Sequence, residues 1–77
     1  MNQQIKDLND FNIKQLRLAR NVRLCDADKL VFVAEDVGID TAPYRQYRQQ
    51  LRDITQNYKT LKDVVWPQKP SLPQASA

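Results

Sequence analysis

The 77-residue chain has no histidine and one cysteine, Cys25. The usual zinc ligand sets therefore cannot be assembled within one copy. No Ser or Cys has a histidine base to activate it as a nucleophile. A lone cysteine forms no internal disulfide, which points to a reducing compartment. Gly38 is the only glycine, so there is no glycine-rich phosphate loop. Aromatic residues are few: one Trp, three Tyr and two Phe. No apolar run approaches membrane-spanning length, and none follows Met1 as a signal peptide would require. The expectation is a soluble, cytosolic, non-enzymatic protein with no cofactor, no metal and no membrane partner. Asp26 and Asp28 lie close together, but paired carboxylates in a turn read as caps before they read as a cation site.

A chain this short forms one domain at most and buries a small fraction of its surface. Without disulfide or metal, a partner or a second copy is the expected source of added stability. The net charge is +3 and the pI about 9.2, well below a dedicated nucleic-acid binder. The charge is uneven along the sequence. Lys14, Arg17, Arg20 and Arg23 are followed by the acids Asp26, Asp28, Glu35, Asp36 and Asp40, set against Lys29 alone. A repeat of three drifts around a helix, so the four early basic residues read as a solvated face rather than one phosphate-binding patch.

The strongest periodicity runs from Tyr44 through Tyr47, Leu51, Ile54, Tyr58 and Leu61 to Val65. This alternation of three and four places all seven on one stripe of an α-helix. Beside it lie Arg45, Arg48, Arg52 and Lys59. Asp40 or Thr41 caps this helix, and Pro43 occupies its first turn, where a missing N–H does no harm. It is expected from about residue 43 to at least residue 54, with a break near residues 55–57. Thr60 and Asp63 are spaced to cap a last short turn. An earlier helix is firm over residues 13–24, with Leu16, Ala19 and Val22 facing Tyr47, Leu51 and Ile54; before it, Ile5, Leu8 and Phe11 extend the apolar face. Residues 25–28 read as a turn, with Cys25 packed at a helix end. The segment from Lys29 to Gly38, rich in β-branched residues, reads as extended, with a short helix stopped by Gly38 as an alternative. After Trp66, Pro67, Pro70 and Pro73 recur every three residues, the period of polyproline II. The fold class is mainly α: a small two-helix or three-helix domain over residues 1–66 and an extended proline-rich tail over residues 67–77.

The run Tyr47-Arg48-Gln49-Gln50-Leu51-Arg52-Asp53-Ile54, followed by Asp63-Val64-Val65-Trp66-Pro67-Gln68-Lys69-Pro70, resembles the C-terminal signature of small phage tail assembly chaperones. Arg20-Asn21, Leu24 and Asp28 also sit where such proteins carry those residue types, whereas Lys29 stands in place of a usual Trp. The resemblance implies a protein that binds a phage tail or tail-fibre protein in the host cytoplasm during assembly. A permanent subunit of the virion tail, baseplate or fibre is the alternative, and a small basic nucleic-acid binder ranks last. The implied partner-binding set is Tyr44, Tyr47, Arg48, Arg52, Trp66, Pro67, Lys69 and Pro70. Trp66 would serve as an aromatic anchor on a proline-stiffened strap.

Overall fold

The structure is a computed structural model that describes the backbone of residues 3–72 and the side chains of residues 7–72. The side chain of Ile5, and Pro73 with the tail beyond it, lie outside the described residues. Three helices follow in order: α1 (Gln3–Val37), α2 (Ala42–Arg52) and the single turn α3 (Ile54–Asn57). An extended strap then runs to Leu72. The molecule is a rod of 60 × 17 × 16 Å. Its length is set by α1, whose 35 residues span about 52 Å at 1.5 Å per residue.

The continuity of α1 overturns two expectations. Residues 25–28 are not a turn, and residues 29–37 are not extended. No glycine or proline interrupts the sequence before Gly38, and the buried residues there are Ala27, Leu30, Val31 and Ala34. Their spacing of three, one and three follows the helix period, whereas a strand would have buried alternate residues. The β-preference of Leu30 to Val33 is overridden because the helix buries this face against α2. Cys25 is accordingly exposed in mid-helix. Asp28 caps nothing.

Gly38 ends α1. Its φ is +79°, the left-handed conformation that glycine adopts without strain. Its N–H donates to the Ala34 and Glu35 carbonyls at 3.0 and 3.3 Å, and the Ile39 N–H donates to the Ala34 carbonyl at 3.0 Å. This is a Schellman ending, with Ile39 closing it by packing on the core. The chain reverses within four residues. Asp40 supplies the cap, its carboxylate accepting the Ala42 N–H at 3.0 Å. Thr41 occupies the N-cap position without a side-chain bond, and Pro43 lies in the first turn.

α2 returns antiparallel to α1. One core cluster joins Ala27, Leu30, Val31 and Ala34 to Tyr44, Tyr47 and Leu51. The two alanines leave room for the two tyrosine rings. Two ion pairs flank this seam: Arg45 with Glu35 at 2.6 Å and Arg48 with Asp28 at 3.4 Å. Both are solvent-accessible, so each contributes no more than about 1 kcal/mol. The Arg45 pair also sets a positive charge against an acid in the last turn of α1, where the helix dipole alone disfavours negative charge.

Of the expected core, Leu16, Tyr47, Leu51 and Ile54 are buried and Ala19 is half-buried, but Val22 is 66% exposed. Once α1 runs unbroken, its inner face is set by Leu16, Ala27 and Ala34, and Val22 falls on the opposite side. The long stripe of α2 also stops early. The helix breaks at Asp53, α3 adds one turn, and Tyr58 is extended at φ −134° and ψ 150°. Leu61 and Val65 are therefore exposed. The turn expected at Thr60 does form: its hydroxyl accepts the Asp63 N–H at 3.2 Å and donates to the Asp63 carboxylate at 3.0 Å.

Candidate functional site

The strap returns along the helix pair after the Thr60–Asp63 turn, anchored at two places. Trp66 is partly buried against the core cluster. Its ring lies under the Arg23 guanidinium, 3.9 Å from the ring centroid. Such a cation–π contact is worth about 0.5–1 kcal/mol where water reaches it. Arg23 is oriented by donating to the Ala19 carbonyl at 3.3 Å. Farther on, the Tyr44 hydroxyl donates to the Ser71 carbonyl at 3.0 Å, and Leu72 packs on the same cluster. One tyrosine thus closes the core with its ring and holds the strap with its oxygen.

Between these anchors the strap stands off α2 and leaves a cleft of about 290 Å³. Pro43, Gln46, Tyr47 and Gln50 form its helix side, and Pro67, Gln68 and Pro70 its strap side. A second cleft of about 300 Å³ opens where the strap enters, under Val65, Trp66 and Pro67 and over Ile54 and Tyr58. Gln50 and Pro67 line both. Proline rings, glutamine amides and a tyrosine edge form a surface that accepts an extended peptide or a side chain by shape and by amide hydrogen bonds. None of these groups is a nucleophile or a proton-transfer pair. Among the described residues no three His, Cys, Asp or Glu side chains gather as metal ligands, and no helix is long and apolar enough to cross a membrane.

The residues expected to bind a partner separate into three groups. Tyr44 and Tyr47 are buried, at 4% and 5% exposure, so their rings belong to the core and only the edge of Tyr47 reaches the cleft. Burial, with Asp26 adding to it, raises the Tyr47 phenol above its ordinary value of 10.0, while Arg23 acts in the opposite direction. Arg48 is committed to Asp28. Arg52, Trp66, Pro67, Lys69 and Pro70 remain at or near the surface, and Arg52 and Lys69 are exposed.

Sequence reasoning missed Arg23, Ser71 and Leu72. Arg23 could have been found: with α1 extended past residue 25, it falls on the inner face between Leu16 and Ala27. Ser71 contributes only a backbone carbonyl, which no residue pattern marks.

A family model described as phage tail assembly chaperone protein matches residues 13–71. No curated protein and no solved structure matches the chain.

Proposed function

The chain belongs to the phage tail assembly chaperone family, and we propose that it acts without catalysis, by binding a tail or tail-fibre protein on the surface shared by α2 and the strap. One observation carries this reading. The strap is held at Trp66 and at Ser71, yet it stands off the helix between them and exposes Gln68 and Lys69 beside the cleft. A proline-stiffened segment already fixed in place loses little conformational entropy when a partner docks, which favours affinity. Lys69, exposed on the strap, provides positive charge at the edge of this surface, whereas Arg52 falls with Arg45 and Arg48 on the opposite flank of α2. A rim charge such as Lys69 steers an acidic partner and raises the association rate more than it deepens the complex.

Nucleic acid is disfavoured as the main partner. Arg45 and Arg48, two of the four basic residues beside the α2 stripe, are paired with acids of α1. Lys59 donates to the Thr55 carbonyl at 2.9 Å. What remains is sparse for phosphate tracking.

The test is binding of the cognate tail proteins to the full chain carrying Lys69→Glu, with Arg52→Glu on the opposite flank of α2 as the control. Both sites are exposed, so the fold, read by circular dichroism, should be unchanged in each, while Lys69→Glu alone slows association, by at least about threefold at low salt. Unchanged association kinetics of Lys69→Glu with every tail component would exclude this surface.

A further inference from the structure

The outer face of α1 carries a second apolar stripe that the hairpin does not use. Leu8, Phe11, Leu18, Val22, Cys25 and Phe32 are all exposed there. Gln15 and Lys29 fill the two intervening places, so the stripe keeps a strict alternation of three and four across residues 8–32. That is the heptad spacing of a helix that supercoils with another helix. It lies on the side of α1 away from Leu16, Ala27 and Ala34, the face buried against α2. Phe32 at 69% exposure and Leu18 at 61% are large side chains of the kind a chain adds to a helix seam, and they do nothing for the hairpin itself.

We propose that this stripe is the seam of an antiparallel homodimer, in which a second copy of the chain covers it. The stripe is complementary to itself under a two-fold axis, as an isologous interface requires. In an antiparallel seam each first-place residue packs against a second-place residue of the other helix. The register centred near residue 20 sets Leu8 against Phe32 of the partner subunit and Leu18 against Val22 of the partner subunit. The two polar places then find suitable neighbours. Gln15 meets Cys25 of the partner subunit. Lys29 of the partner subunit lies across Phe11, at a cleft that Leu61, Lys62 and Asp63 also line, where its ammonium finds a ring face and the Asp63 carboxylate offsets the charge of Lys62.

The central flanks agree with this register, and at its ends Asp7 comes opposite Glu35 of the partner subunit, an acid whose charge Arg45 already offsets. Lys14 comes opposite Asp28 of the partner subunit, whose carboxylate holds Arg48 through one oxygen and has a second to offer, and the symmetry makes this pair twice. Ala19 meets Ala19 of the partner subunit beside the axis, which lets the helices approach closely. A parallel dimer is disfavoured by the same residues, because it would place Lys29 against Lys29 and Asp36 against Asp36 within the seam. The paired stretch is about 36 Å long, and the two α2 helices with their straps would lie on opposite outer faces, open to tail protein.

Sedimentation equilibrium on the full chain, joined to disulfide trapping, tests the proposal. The expected mass is twice the 9.0 kDa of one chain. Leu18→Glu should weaken self-association at least about a hundredfold, equivalent to about 2.7 kcal/mol, with helix content retained. Val22→Lys, read in the same way, guards against a folding defect at residue 18. Under mild oxidation Gln15→Cys should give a covalent dimer, each new thiol joining Cys25 of the partner subunit. The unaltered chain should not, because its two Cys25 residues would sit about 15 Å apart along the axis, beyond disulfide reach. A chain that stays monomeric up to its solubility limit would overturn the proposal. So would a Leu18→Glu dimer as tight as the parent, or ready Cys25-to-Cys25 linkage in the unaltered chain, which is the mark of a parallel seam.

Discussion

Leu51→Ala is the most informative single change to the hairpin. Leu51 is fully buried, at 0% exposure, in the cluster that joins α2 to Ala27, Leu30, Val31 and Ala34 of α1. The substitution removes three carbon groups from an apolar site, a transfer loss of about 2.4 kcal/mol at 0.8 kcal/mol per group. A cavity term adds to this, because a long helix facing a tethered short one cannot close fully over the gap; the total falls at about 2–5 kcal/mol. A chain of 77 residues has about 4–12 kcal/mol of stability to lose, so the variant should retain a fraction of the parent value. Each kcal/mol shifts the melting temperature of a domain this size by about 4–8 °C, and a fall on the order of 10 °C or more is expected. The assay is thermal and urea unfolding followed by far-UV circular dichroism at one fixed protein concentration, since self-association would raise the apparent stability. Val22→Ala, at a site exposed in the hairpin, is the control under conditions where the chain is monomeric and should stay within about 0.5 kcal/mol. A Leu51→Ala variant as stable as this control would refute the packing of α2 on α1 described above.

Two further perturbations follow. Gly38→Ala should destabilise the chain by about 1 kcal/mol: a Cβ there meets nothing within 4 Å, so the penalty is that of holding an L-residue at positive φ, and an unchanged urea midpoint would deny the Schellman ending. Raising the pH should weaken the fold through Tyr47, whose phenol is held above 10.0. A folded-state value above the unfolded one means that this contribution is full below about pH 10 and is lost as the pH climbs through the folded value; Tyr47→Phe should flatten that alkaline loss of stability, and an unaltered alkaline profile would remove Tyr47 from the account.

The parts legible in the sequence are those where one short-range rule acts alone. Asp40 and Pro43 mark the start of α2, and Thr60 and Asp63 mark a turn; Gly38 as a helix end was legible only as the alternative to an extended segment. The first helix was harder to read. Its segment from Cys25 to Val37 has strand-like residues and three aspartates, and local propensity argues against a helix there. What decides the outcome is a partner surface far along the chain, Tyr44, Tyr47 and Leu51, against which Ala27, Leu30, Val31 and Ala34 fit only as a helix. The same hidden continuity concealed Arg23 as the cation beneath which Trp66 packs. The surface at the strap was legible in its prolines and its tryptophan. Its anchorage at Ser71 was not, since a backbone carbonyl carries no sequence signature.

From membership of an assembly chaperone family we propose that the chain binds tail protein transiently and leaves before the particle is finished. Quantitative mass spectrometry of infected-cell extracts, fractionated by size during tail assembly, and of purified virions measures this directly. The account predicts the chain in extract fractions together with one tail or tail-fibre protein, and its absence from virions. Its presence in virions at a fixed ratio to a tail protein would contradict the account and make the chain a permanent part of the tail.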